Sequence, residues 1–574
     1  MGASASAVLV VGDAPLLTQA AAALVAQGVA VRRVRDAAGA RLPRRTALLL
    51  LARGTGLGRE LDWARHASRG RSRPLRTVVL GGAPEATAAE DAAEQGAGLR
   101  LEWLNPEATA ARALLARWPL HRAFDPPYGQ DPHLVVAGFG PFARALLLHA
   151  LRIGQYADHA PVVTLAADDP GAWRDWLEAE HPQAGVCGRL RFASLPAPDL
   201  ADAAPVTTIV VCDLPPAPAL ACARGLRDAA AEQGASPLVL LAADADWPQA
   251  ARGDWDGQLV PVRPLALAFS REGLLFGRDD VLAEVIHEHY RDTSAAQGRD
   301  PAAAPSGRPW PELPASYRNA NRHQADHLWA KLAVTDCRAV PEEQVESFAF
   351  APTEVERLAI IEHRRWAVER WLDGWTFAPV RDNARKLHPQ LIPYAELSDA
   401  MQDLDRFAVR LVPSLLARSG LGVVRRLLVA VRGDGEAAAP GVPRRALAEL
   451  LRRLLERYPD RGLTLVLDPS DALARRLAEE ALRETDAGLF LLLPAALPRL
   501  LAGAQPEART AILRLLEAAE RRIPLAGDAA AADWIARRAE ILCVLGDGAP
   551  MAGTPPAKRV QLDRQGRARW RFDY

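Results

Sequence analysis

The stretch HLVVAGFGPFARALLLHALRIG sets Gly138, Gly140 and Ala143 in G-x-G-x-x-A order between a strand-like apolar run and a helical one. That spacing suits an anion. The first glycine permits a tight turn, the second lets a pyrophosphate approach the backbone, and Ala143 allows close helix–sheet packing, while the helix N-terminus offers unpaired N–H groups. Asp168 and Asp169 end the next apolar run, APVVTLAADDP, where a ribose-binding acid belongs, and Asp213 ends a later one, TTIVVCDLPP. The ligand this pattern implies is NAD(H), NADP(H) or another adenine nucleotide. A strand–helix turn with no ligand would use the same two glycines.

A second cluster lies in IEHRRWAVERWLDGWTFAPVRDNARKLHPQLIPY, Ile361 to Tyr394. Helical spacing puts Glu362, Arg365 and Glu369 at i, i+3 and i+7, with Trp366 on the same mixed face. The irregular section that follows carries Trp375, Arg381, Asp382, Lys386, His388 and Tyr394 in loops, where side chains can converge from a rigid frame. Arg381 and Lys386 suit a phosphate, one as a bidentate fork and the other as a point charge. Trp366 and Trp375 are either core anchors or stacking surfaces. His388, before Pro389, is either structural or a ligand contact.

Bulk properties narrow the classes. A chain of 574 residues exceeds one hydrophobic core. Lys+Arg and Asp+Glu both total 70, so no net field favours nucleic acid or an anionic membrane. The five cysteines form no C-x-x-C pair, and the absence of metal-ligand spacing argues against structural zinc and a disulfide framework. The longest apolar runs are short or broken by proline, predicting no direct membrane insertion and a cytoplasmic location. No G-x-x-x-x-G-K-[ST], G-x-S-x-G or HExxH motif occurs.

Short apolar runs alternating with helical stretches predict an α/β multidomain protein of several Rossmann-like parallel-sheet domains plus one mainly α-helical domain. The expected units are 1–125, a degenerate Rossmann-like domain; 131–292, the nucleotide-binding Rossmann domain; 293–314, a Pro/Ala/Gly-rich linker; 315–418, the helical domain; and 422–574, a third α/β unit. SYRNANRHQADHLWAKLAVTDC, near the start of the helical domain, reads as a polar docking helix.

Three resemblances attach to these residues. Gly374-Trp375, Lys386-x-His388-Pro389 and Pro393-Tyr394 before a Leu-bearing helix resemble the RyR domain, the repeat named from ryanodine receptors. This likeness implies a ligand-recognition or interaction module, with Glu362, Trp366, Trp375, Arg381, Asp382, Lys386, His388 and Tyr394 as its candidate contacts. Residues 132 to 290 resemble the TrkA-N (RCK N-terminal) type of Rossmann domain, which implies nucleotide sensing beside a potassium transporter. The strand and helix order from 422 to 562 is similar to the SLOG Rossmannoid family. By that likeness LGDGAPMAGTPP supplies the phosphate turn, with Gly546, Gly548, Gly553 and Thr554, although Ala552 replaces one glycine of the family's GGT.

The function expected from these readings is a nucleotide-sensing regulatory protein taking a nucleotide-type small molecule, acting as a homo-oligomer or on a protein partner such as a transporter or effector. The alternatives are a regulatory subunit of a potassium channel or transporter, and a nucleotide-processing enzyme, either an NAD(P)-dependent oxidoreductase or an N-glycosidase.

Overall fold

The computed structural model describes residues 7–38, 41–43, 45–71, 73–81, 98–128, 131–196, 200, 204–244, 258–298, 300, 304–433, 442–546 and 558–572. Strands β1 (Ala7–Val11), β2 (Val31–Val34), β3 (Thr46–Ala52), β4 (Leu75–Leu80) and β5 (Leu99–Leu104) form an all-parallel sheet in the order β2-β1-β3-β4-β5. This is the flavodoxin-like order of doubly wound folds.

The second sheet contains β6 (His133–Ala137), β7 (Val162–Ala167), β8 (Arg189–Ser194), β9 (Thr208–Cys212), β10 (Leu238–Ala242) and β11 (Leu259–Val262). Read from β8, its order β8-β7-β6-β9-β10-β11 is the 3-2-1-4-5-6 arrangement of dinucleotide-binding folds. Every residue of β6, β7, β9 and β10 is buried, as expected for strands covered on both faces by crossover helices.

The helical unit is built on Ala315–Val334, Pro352–Leu372, Asp399–Arg410 and Val412–Arg418. It also contains β12 (Cys337–Pro341) and a small parallel pair, β13 (Thr376–Phe377) with β14 (Leu387–His388). β12 leaves this unit and pairs antiparallel with the start of β15 (Leu421–Gly433), Cys337 opposite Arg425 and Pro341 opposite Leu421. The far half of β15 continues into the third sheet with β16 (Arg461–Leu467), β17 (Gly488–Leu493), β18 (Arg521–Pro524), β19 (Ile541–Leu545), β20 (Lys558–Leu562) and the antiparallel β21 (Ala568–Phe572). One long strand thus ties the helical unit to the C-terminal sheet.

Within 293–314, the expected linker, the described residues include packed ones. Helix Val281–Ala296 runs into it, Trp310 and Leu313 are buried, and His287 Nε2 lies 2.7 Å from the Arg308 carbonyl oxygen. Its two indole- and leucine-sized apolar groups outweigh the turn-forming composition that reads as a tether. A continuous apolar core runs from Val8 through the Rossmann sheet and the helical unit to Val423.

Candidate functional site

The glycine turn follows from register. β6 lies between β7 and β9, with Ala137 opposite Val211, so Gly138 comes against Cys212. A Cβ on Gly138 would stand 1.8 Å from the Cys212 carbonyl oxygen, and its φ of 127° lies where only glycine is comfortable. A Cβ on Gly140 would stand 2.5 Å from Asp213 Cγ. The chain's own atoms therefore account for both glycines.

Asp213 Oδ2 accepts a 2.7 Å hydrogen bond from the Ala143 amide at the N-terminus of helix Pro141–Ile153. Its φ of 54° is a left-handed conformation that a short polar side chain tolerates. Burial raises its carboxyl above the ordinary value, against the amides of Ala143 and Phe142 and the Arg144 charge. Asp213 is among the residues expected to bind a cofactor. It is an internal cap, placing a carboxylate where a pyrophosphate would need the same N–H groups.

Asp168 is exposed at the end of β7. Asp169 caps helix Pro170–Glu180, accepting from the Gly171 amide at 2.8 Å. Beside the turn, Phe139 packs edge-on to buried Trp173 at 5.1 Å, and Arg144 covers the faces of Phe139 and Trp176.

In the helical unit, His388 is buried with its ring edge-on to Trp366 at 4.9 Å and to Trp375 at 6.0 Å. Burial, then Arg381 and Arg370, pushes its imidazole down to about 4, so it is neutral near pH 7. Its Nδ1 accepts from the Gln390 amide. The Arg370 guanidinium lies 5.4 Å from the Trp375 ring centre. Both indoles are half-buried, part anchor and part surface.

Residues 378–387 fold into a surface concavity of about 680 Å³ that includes exposed Arg381 and Arg385. Arg381 donates only to Asn383 Oδ1 among the contacts seen for it, whereas Asp382 accepts from the Arg385 amide and shapes the turn. Lys386, at φ 54°, donates to the Asp373 carbonyl oxygen. Tyr394 is buried against Ala359 and Leu397.

Glu362, one of the expected ligand contacts, belongs to a buried ion-pair network. It is 5% exposed and already saturated, with Lys331 Nζ at 2.7 Å and Arg365 Nη2 at 2.8 Å. Burial alone would raise its carboxyl, but Arg365 and Lys331 outweigh that and hold it below the ordinary range. Arg365 also reaches Glu369 at 2.9 Å. Lys331 Nζ lies 3.0 Å from His327 Nδ1, and His327 Nε2 lies 2.8 Å from the Gln155 carbonyl oxygen of the Rossmann unit. Arg364 donates to Gln155 Oε1 at 2.9 Å. Sequence reasoning missed Lys331, a lone lysine in a mixed helix, although the 315–334 helix does dock as expected.

In the C-terminal sheet Gly546 ends β19 with φ 99°. Gly548, Gly553 and Thr554, the rest of the candidate phosphate turn, lie outside the described residues. Among the described residues no group of three or more His, Cys, Asp or Glu could hold a metal ion, and no helix is long and apolar enough to cross a membrane.

Fold and site together define a multidomain α/β protein with Rossmann-type sheets and a helical module docked between them. Residues 350–424 match the family model of the RyR domain. Among solved structures the chain is similar to apo D-lactate dehydrogenase from Escherichia coli, at 12% identity over 51% of this chain and 98% of that one, TM-score 0.20. It is also similar to Salmonella D-lactate dehydrogenase, at 16% identity over 44% and 78%, TM-score 0.18. Dipicolinate synthase A chain from Bacillus subtilis aligns at 12% identity over 50% and 98%, TM-score 0.18. The strand order of the second sheet, rather than these alignments, carries the Rossmann reading.

Proposed function

We propose that this chain is a regulatory sensor that takes a nucleotide-class anion on the RyR module and transmits its occupancy to the Rossmann unit. The observation that carries the reading is helix Pro352–Leu372, whose mixed face serves two neighbours. Trp366 and Arg370 meet the Trp375–His388 cluster. Beside them on the same face Glu362, Arg365 and Glu369 form a network with Lys331 that reaches Gln155 through His327, and Arg364 donates to Gln155 directly. Aromatic faces with adjacent guanidinium groups suit a base and a phosphate. Any shift of this helix on binding is felt by charges that cannot leave their partners cheaply. A dinucleotide of the NAD type at Gly138 and Gly140 requires the Asp213 carboxylate to withdraw first, so in this reading the Rossmann turn receives the signal.

The test is calorimetry with NAD(H), NADP(H), ADP-ribose and cyclic nucleotides. At least one should bind the wild-type chain, and Arg381→Ala should weaken it about tenfold, or 1.4 kcal/mol, with the unfolding temperature of the free protein unchanged. Binding by none of the panel, or full affinity in Arg381→Ala, would overturn the reading.

A further inference from the structure

A cavity of about 440 Å³ opens where the N-terminal, Rossmann, helical and C-terminal units meet. Six arginines line it against three carboxylates, Asp326, Glu517 and Glu520. Much of the charge is already spent: Arg112 is held by Asp280 at 2.7 Å and Asp326 at 2.6 Å, Arg426 pairs with Glu520, and Arg521 pairs with Asp125 and Asp336. Arg338 donates to the Asp486 carbonyl oxygen.

Arg122 is placed differently. Its hydrogen bonds run to the backbone carbonyl oxygens of Leu516 and Glu517, and its Nε is buried with no acceptor. Arg426 Nε is buried without an acceptor as well. Arg117, on helix Pro106–Arg117, lies 4.9 Å from the Trp118 ring centre. The walls also include the Trp329 ring and the apolar side chains of Leu115, Ile153 and Leu332.

Buried guanidinium donors without acceptors are costly unless an anion or water completes them. The cavity volume falls in the range of small-molecule sites, ~300–1,000 Å³, and inorganic phosphate would leave most of it unfilled. We infer that this junction binds a nucleoside mono- or diphosphate, its phosphate oxygens taken by Arg117 and Arg122 and its base lying against Trp329. The field at the site agrees: desolvation, then Arg521 and Arg426, pushes the His121 imidazole down to about 3. Neutral His121 keeps its Nδ1 at 3.1 Å from the Tyr156 hydroxyl. Because four units contribute walls, an occupant here holds them in one arrangement.

This inference shares with the preceding reading only the chemical class of the ligand, and the two can fail separately. The experiment is calorimetry of the full chain with AMP, ADP and inorganic pyrophosphate. ADP or AMP should bind, with pyrophosphate at least tenfold weaker. Arg122→Gln should weaken the nucleotide tenfold or more, and Trp329→Leu should weaken the nucleotide while leaving pyrophosphate unchanged. Arg117→Gln, on an exposed side chain, supplies the same reading if Arg122→Gln fails to fold. Absence of AMP and ADP binding at millimolar concentration, or affinity indifferent to both the arginine and Trp329 substitutions, would overturn it.

Discussion

Arg521 and Asp125 stand 396 positions apart in the chain, and their Nη1 and Oδ1 atoms are 2.9 Å apart in a site where neither side chain is more than 2% exposed. Asp125 Oδ2 accepts from Trp534 Nε1 at 2.8 Å, while Arg521 also reaches Asp336 and the Ala333 carbonyl oxygen. The guanidinium lies 4.5 Å from the Phe490 ring centre. This knot joins the segment before the Rossmann sheet, the helical unit and the C-terminal sheet.

Arg521→Met should therefore destabilise the protein by about 3–5 kcal/mol, because it takes from the buried Asp125 carboxylate its nearest cation and leaves Arg538 at 3.6 Å. Denaturant unfolding measures the loss, and limited proteolysis should show the C-terminal sheet released first. A change below about 1 kcal/mol would mean the pair contributes no more than a surface salt bridge.

Asp213→Asn should convert the glycine turn from a self-capped state to a receptive one. Asparagine still caps helix Pro141–Ile153 and tolerates the positive φ, but it removes the negative charge from the anion position. Affinity for NAD(H) should rise about tenfold, a gain of 1.4 kcal/mol, measured by calorimetry. Equal affinity in the two proteins would show that Asp213 does not compete with a dinucleotide.

The acid limb of stability should be set in part by two imidazoles. His388 and His121 are pushed down in the folded chain, to about 4 and about 3, from an ordinary 6.5. Between those values and 6.5 the unfolded chain binds protons that the folded one refuses, so stability rises with pH across that window and is lost as pH falls. His363 has the opposite sign. Its own burial would lower it, but Asp405, 3.2 Å from Nδ1, and the Ile392 carbonyl raise it, so its contribution is full below 6.5 and lost as pH rises through the raised value. Unfolding temperatures from pH 4 to 6.5 should show a shallower slope for His388→Phe than for wild type. Identical slopes would remove His388 from the account.

Much of the fold could be read locally. Runs such as LVVA, VVTLAA and TIVVC are apolar throughout because both sheet faces are covered, and the glycine spacing marked the turn after β6 correctly. The RyR likeness rested on Gly374-Trp375, Lys386, His388 and Tyr394, and the family match falls on that part of the chain. The packed segment around Trp310 could not be read this way, because proline and alanine composition says nothing about which neighbour an indole will find.

The sequence by itself determined the strands, the helices and the glycine turn, since backbone sterics and the periodicity of burial act over a few residues. Tertiary structure decided the fate of the charges. Asp213 read as a cofactor-binding acid at a strand end, and strand order brought β9 beside β6 and carried its carboxylate to the Ala143 amide, 70 positions away. Glu362 read as a ligand contact, and the fold brought Lys331 to it from another helix, while Arg521 pairs with Asp125 and Asp336 from distant parts of the chain. A buried charge must find its counter-charge wherever the fold supplies one, and that meeting is set by topology rather than by neighbours in the chain.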